Sequence, residues 1–184
     1  MSGERTARGV EVRSLTGGEV LEHADALGAV LADCVAGGAS VSFMLPFSPA
    51  DGAVFFRIAA EETAAGRTIL LAAFGSERVV GTVQVRLAMP PNQPHRGELA
   101  KMLVHRAARR RGVGAALLRA AEHEAARAGK TLLCLDTVVG GDAERLYRAN
   151  AWSECGIIPD YALWPDGGFC ATRVFYKRLE RLPA

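Results

Sequence analysis

The sequence predicts a mixed α/β domain. Short apolar runs of strand length recur along the chain, some alternating and some continuous. Between them lie longer stretches with apolar residues at helical spacing, and glycine or proline marks most junctions. At 184 residues the chain fits one domain, 1–184, able to bury roughly two-thirds of its unfolded surface. No repeat and no internal linker divides it.

In chain order, "VEVRSL" (10–15) alternates and reads as a strand. Val20, Leu21, Ala24, Leu27, Val30 and Leu31 recur at helical spacing over 17–35, closed by Gly37 and Gly38. "ASVSFMLPFSP" reads as a loop, and 50–65 as a second helix ended by Gly66. "TILLAAF" (68–74), the turn "GSER" and "VVGTVQVRL" (79–87) form a hairpin. The long proline-rich loop "AMPPNQPHRG" has a length that is disproportionately functional. "ELAKMLV" (98–104) is a strand, 112–128 a helix, and "TLLCLD" (131–136) an apolar strand suited to burial on both faces. Residues 142–149 make a short helix with Asp142 as its cap. "SECGII" and "TRVFYKRL" close the chain as strands, with "PDYALWPDGGFCA" a loop between them.

A formal charge of +2 is too small to argue for nucleic acid or a membrane surface. Cys34, Cys134, Cys155 and Cys170 show no C-x-x-C pair and no metal-ligand spacing, so no metal is expected. The start, "MSGERTARG", is polar and lacks an apolar signal core, and no apolar run approaches 18 residues. A reduced, cytoplasmic setting is the expectation.

The basic residues are clustered. In "HRAARRRGVGAALLRAAEHEAARAGK" (105–130), Arg106, Arg109, Arg110 and Arg111 precede Gly112 and Gly114, and a helix follows. A strand feeding such a loop places backbone N–H groups at the positive end of the helix, where a phosphate or pyrophosphate is held without special side chains. The arginines add charge-assisted bonds. An ordinary helix start with a solvated basic loop remains open on these residues alone. The P-loop pattern is absent. "GVGAAL" nearly makes a dinucleotide fingerprint, with Leu117 at the third glycine position and Asp136 near the place of the ribose acid. Fewer than 80 residues remain after it, too few for the second half of a doubly wound sheet.

"ARRRGVGAALLRAAEHEA" resembles the acetyl-CoA-binding motif of the GNAT N-acetyltransferases, Gln/Arg-x-x-Gly-x-Gly/Ala, with Arg109, Gly112 and Gly114 at its fixed positions. The order of elements fits that family over essentially the whole chain. "GGASVSFM", "GELAKMLV", "LCLDT", "LYRANAW" and "YALWPDGGFCATRVFYKRL" resemble the tabtoxin resistance acetyltransferases more narrowly. The resemblance implies a mostly antiparallel sheet of about seven strands with a central, splayed parallel pair and about four helices. It implies acetyl-CoA as co-substrate, held by Arg109, Arg110, Arg111, Gly112, Val113, Gly114 and Ala115, with the thioester along the main chain of Met102, Leu103 and Val104. A homodimer is also an expectation, since dimers are common among such proteins.

Acetyl transfer to an amine needs a base for the arriving ammonium and an acid for the leaving thiolate. Glu98, eleven residues before Arg109, occupies the family's base position. It alternates with Ala100, Met102 and Val104 on an otherwise apolar face, which suits a base. Asp136 lies in an "LDT" that the tabtoxin resistance enzymes link to the active site; a turn-capping role is the alternative. If the two strands end level, Glu98 and Asp136 lie roughly 20 Å apart, and a water relay from Glu98 with Asp136 binding the ammonium reconciles them. Tyr147 holds the family's acid position; a phenol near its usual value of about 10 matches a thiolate. Trp152, Trp164, Phe43, Phe47 and Tyr161 are core or pocket-wall aromatics. The resulting expectation is an N-acetyltransferase for a small amine, with toxin or antibiotic detoxification in view. A coenzyme- or nucleotide-binding module without turnover is the alternative.

Overall fold

The computed structural model describes residues 4–5, 9–76 and 78–180, with side chains from residue 9. Most of the polar amino-terminal stretch, and Glu77 of the 75–78 turn, lie outside the described residues.

Among the described residues, eight strands form one sheet: β1 (Glu4–Arg5), β2 (Val10–Leu15), β3 (Thr68–Gly75), β4 (Arg78–Arg86), β5 (Arg96–Val104), β6 (Leu132–Val138), β7 (Ser153–Leu163) and β8 (Phe169–Arg178). Their order is β1-β2-β3-β4-β5-β6-β8-β7. Only β5 and β6 are parallel; all other neighbours are antiparallel. This is the expected sheet, with a two-residue edge segment added. The helices are α1 (Gly17–Glu22), α2 (Ala24–Ala36), α3 (Pro49–Ala64), α4 (Val113–Arg127) and α5 (Asp142–Ala149).

Among the described residues there are five helices, in keeping with about four expected. The extra one arises because the single helix read over 17–35 breaks at His23, which caps α1 and opens α2. Val20, Ala24 and Leu27 are buried on both sides of the break, so the apolar period runs through it unmarked. Two helix starts are fixed by reciprocal caps. Thr16 and Glu19 exchange bonds at α1, and Ser48 and Asp51 do so at α3, where Pro49 supplies a preset φ. Asp142 proves to be the first residue of α5, capped by Gly141.

Helices cover both faces of the sheet, so it has two cores. Val12, Leu71, Val83, Val85 and Leu133 pack with Leu117 and Leu118 of α4. Leu15, Leu70 and Ala72 pack with Leu27, Leu31 and Phe56 of α2 and α3. Burial on both sides explains why "TILLAAF" is continuously apolar. The pair α2–α3 crosses closely at two glycines: a Cβ on Gly28 would lie 2.3 Å from Ala53 N.

The predicted closing loop is a correction. Strands β7 and β8 extend through most of it, leaving only 164–168 as the tip. Pro159 and Asp160 read as strand breakers. They are instead absorbed in a bulge: Ile158 pairs with Thr172 and Ala162 with Cys170, so 159–161 oppose Ala171 alone. An edge strand tolerates this, and β7 is an edge.

Candidate active site

The parallel pair meets at only three levels: Arg96 with Leu132, Gly97 with Leu133, and Glu98 with Cys134. Beyond these the strands part, leaving Leu99–Val104 and Leu135–Val138 on either side of a notch. A cleft of about 920 Å³ occupies the notch and reaches both faces of the sheet. Its walls include Met102, Leu103, Val104, Arg109, Arg110, Gly112, Val113, Gly114, Ala115, Asp136 and Tyr147. Glu98 and Arg111 are not among its lining residues.

On the α4 face, the loop after β5 makes a single 3-10 turn, Arg106–Ala108. Arg106 is fastened to Asp33, its N–H and Nε donating at 2.8 and 2.9 Å. Burial pushes the Asp33 carboxyl up, but those bonds and the charges of His105 and Arg106 outweigh it and hold the group below its ordinary value. Arg109 folds back on the strand end, its Nε donating to Val104 O at 3.1 Å. Arg110 and Arg111 are exposed. Gly112 caps α4 at φ 81°, a left-handed conformation, and a Cβ there would have open space. No side chain caps α4 and its first turn carries no acid. Its first N–H groups therefore point out beside a basic rim. Open amides, a left-handed glycine and a splayed strand pair are what a pyrophosphate with a pantetheine arm requires, so these residues fit acetyl-CoA.

Tyr147 stands where the α4 face meets the notch. It is 3% exposed and packs on Trp152 and Phe175, with ring centroids 5.7 and 5.9 Å away. Burial, helped by the charge of Asp136, raises its phenol well above its ordinary value, so the expectation of a phenol near 10 is corrected.

The opposite face carries further corrections. Thr82 pairs with Leu103 but Gln84 pairs with Ala100, so Lys101 and Met102 together oppose Val83 in a β-bulge, with Lys101 at φ 50°. The bulge reverses the alternation. Leu99 packs in the α4-side core and Leu103 in the α2-side core, while Met102 and Val104 join the α4 side. Glu98 therefore does not share a face with Met102 and Val104. Its company is not apolar either: Arg86 Nη1 lies 3.0 Å and Arg96 Nη1 3.9 Å from its carboxylate oxygens.

Register also removes the long gap between the two acids. Glu98 is level with Cys134, so Asp136 lies two residues further, roughly 7 Å along the strand. Asp136 is exposed to the cleft, with Thr172 Oγ1 3.0 Å from its Oδ2.

One cleft residue, Lys101, escaped the sequence reading, and another, Tyr161, was read only as a core or pocket-wall aromatic. Lys101 Nζ donates to Val41 O at 2.9 Å and Ser42 Oγ at 3.0 Å, and lies over the rings of Phe43 and Phe55. Burial and the charge of Arg86 pull its ammonium down to about 8, against the opposing pull of Asp136 and Glu98. Tyr161, delivered by the β7 bulge, has its phenol raised chiefly by Asp136. A lone lysine inside an apolar strand, and Pro-Asp inside a strand-like run, were the available signals. Tyr161 and Trp164 line the cleft; Trp152 is buried core, and Phe43 and Phe47 pack on the α2-side core.

Residues 30–151 match the model of the acetyltransferase (GNAT) family. The chain belongs to that family. GNAT enzymes are acetyltransferases that use acetyl-CoA as co-substrate. Among solved structures, the chain is similar to YncA of Salmonella typhimurium with its cofactor acetyl-CoA, at 16% identity over 96% of this chain and 97% of that one, TM-score 0.75. It is similar to the ribosomal-protein-alanine N-acetyltransferase of Brucella melitensis, at 22% identity over 91% and 99%, TM-score 0.74. RimL, a ribosomal L7/L12 α-N-protein acetyltransferase in complex with coenzyme A, matches at 13% identity over 98% and 100%, TM-score 0.77. At these identities the likeness carries the GNAT fold. Among the described residues, no group of three His, Cys, Asp or Glu could hold a metal, and no helix is long and apolar enough to cross a membrane.

Proposed function

We propose that this GNAT acetyltransferase moves an acetyl group from acetyl-CoA to the primary amine of a small molecule, by direct attack in a ternary complex. One observation carries the reading. The splay between β5 and β6 joins a face bearing open helix amides to a face bearing a solvent-accessible carboxylate.

Acetyl-CoA, when bound, supplies the thioester. The N–H groups of the Arg109–Ala115 loop seat its pyrophosphate, with Arg109 and Arg110 adding charge at the cleft wall and Arg111 from outside it. The main chain of Met102, Leu103 and Val104 orients the thioester and stabilises charge on its oxygen. Asp136 receives the acceptor's ammonium and takes its proton, freeing the nitrogen lone pair to attack. Glu98 offsets Arg86 and Arg96, so that their positive charge does not repel the incoming ammonium. Tyr147 donates a hydrogen bond to the departing sulfur, and the second proton shed by the acetylated nitrogen, passed through water, converts the thiolate to the thiol of coenzyme A. Its raised proton affinity makes it a poor source of a free proton and a persistent O–H donor.

The narrower resemblance of "GELAKMLV", "LCLDT" and "LYRANAW" to the tabtoxin resistance enzymes supports a detoxifying role in a cytoplasmic setting. The edge strand β7, with exposed Ile157, Ile158 and Leu163, supports a homodimer. The test is thiol release from acetyl-CoA across a panel of primary amines, with products read by mass spectrometry. At least one amine becomes N-acetylated in wild type, at a rate that Asp136→Asn cuts strongly. Turnover indifferent to Asp136→Asn overturns this assignment.

A further inference from the structure

The acceptor face holds a cation that the transfer chemistry leaves unused. Lys101 is partly buried, lines the cleft, and forms no ion pair among the described residues. Its neighbours are neutral oxygens, Val41 O and Ser42 Oγ, and the faces of two phenylalanines. Those two bonds engage two of the three N–H donors of an ammonium and leave one available. A buried charge is normally matched by an opposite charge, because desolvation is costly otherwise. Lys101 is also held at φ 50° in a bulge, a conformation unfavourable for a residue with a Cβ.

A second bulge contributes to the same cleft. Residues 159–161 swing out of β7, with Asp160 at φ 52°, and bring Tyr161 to the same cleft beside Asp136. Bulges of this kind re-aim side chains beside functional sites. Asp136 acts on both Lys101 and Tyr161 through its charge. The seat thus offers a carboxylate for an ammonium and, on the same face of the cleft, an ammonium with a free donor.

We infer that Lys101 is a specificity-determining residue, and that the acceptor is a zwitterion: its amine meets Asp136 and a carboxylate on the same molecule meets Lys101. This rests on the transferase reading and names its substrate class. An amine without an anionic group leaves the partly buried Lys101 ammonium with no counter-ion in contact, since Asp136 and Glu98 act on it without forming an ion pair. A carboxylate supplies the missing counter-ion and a charge-assisted bond.

The test uses the full chain, acetyl-CoA, and an equimolar pool of the twenty common amino acids with their carboxamides. N-acetyl products are quantified by mass spectrometry for wild type, Lys101→Met and Lys101→Arg, each first checked for a cooperative thermal melt. The amides carry the more easily deprotonated amine, so reactivity alone favours them. Wild type is expected to prefer free acids over their amides by at least tenfold. Lys101→Met should abolish the preference, and Lys101→Arg should keep part of it. Amides acetylated as well as acids, or a preference that survives Lys101→Met, overturns the inference and leaves the transferase intact. No acetylation of either set also overturns it. Calorimetric binding of acetyl-CoA by the same sample then shows whether the donor site stands.

Discussion

Glu98 of β5 lies level with Cys134 of β6, and this is the last pair at which the two parallel strands meet. Glu98 therefore marks the closed end of the notch, tied to Arg86, while Asp136 stands two residues beyond on its open wall. The two acids are not equivalent. Asp136→Asn is expected to lower kcat by about 10²- to 10⁴-fold, the range for loss of a positioned proton acceptor. Glu98→Gln, which keeps a hydrogen-bond acceptor for Arg86, should cost less than about tenfold by the same scale. Steady-state kinetics on any accepted amine decide between them. A larger loss for Glu98→Gln reverses the assignment.

Lys101 makes stability depend on pH. Its proton affinity is lowered from 10.5 to about 8 in the folded chain. Below about 8 both states are protonated and the burial penalty is fully present. Between about 8 and 10.5 the unfolded chain binds more protons, so stability rises with pH. Urea denaturation at pH 7 and pH 9.5 should show wild type gaining on Lys101→Met over that interval. A constant difference between the two proteins would count against a desolvated ammonium. Staying below pH 10 avoids Tyr147, whose raised affinity acts with the opposite sign.

The α2–α3 crossing should be intolerant of a single methyl. Gly28→Ala places a Cβ 2.3 Å from Ala53 N, a contact with backbone that cannot swing aside. A loss of about 1–3 kcal/mol or more is expected from overpacking. Gly18, in α1, has nothing within 4 Å of its Cβ position and no positive φ. Gly18→Ala should be neutral or stabilising by up to about 1 kcal/mol. Chemical denaturation of both variants compares them directly.

Much of the fold could be read from the sequence because period and punctuation are local. The strands at Val10–Leu15 and Thr68–Gly75, and the helix at Asp142–Ala149, stand within a residue of their expected bounds. The bulges at Lys101 and at 159–161 were not legible. A bulge is set by the partner strand's register, and an alternation count along "ELAKMLV" assumes there is none. The same limit hid the company of Glu98, since Arg86 reaches it across strands from twelve residues away. The turn and helix start around Arg109–Ala115 could be read as local structure because the spacing is contained in one short stretch. Lys101 and Tyr161 are sixty residues apart and reach the same cleft only through the sheet.

The measurement that tests the account most directly is calorimetric titration of acetyl-CoA into wild type, Gly112→Ala and Gly112→Glu. Gly112 opens α4 in a left-handed conformation with empty space above it. Alanine there carries a backbone penalty of roughly 1–2 kcal/mol without blocking the amides. Glutamate adds a negative charge at the seat of a pyrophosphate. Wild type is expected to bind, Gly112→Ala to keep binding within about tenfold in line with that penalty, and Gly112→Glu to show no measurable binding. Equal affinity in Gly112→Glu and wild type, with both proteins folded, would contradict a donor site at the start of α4.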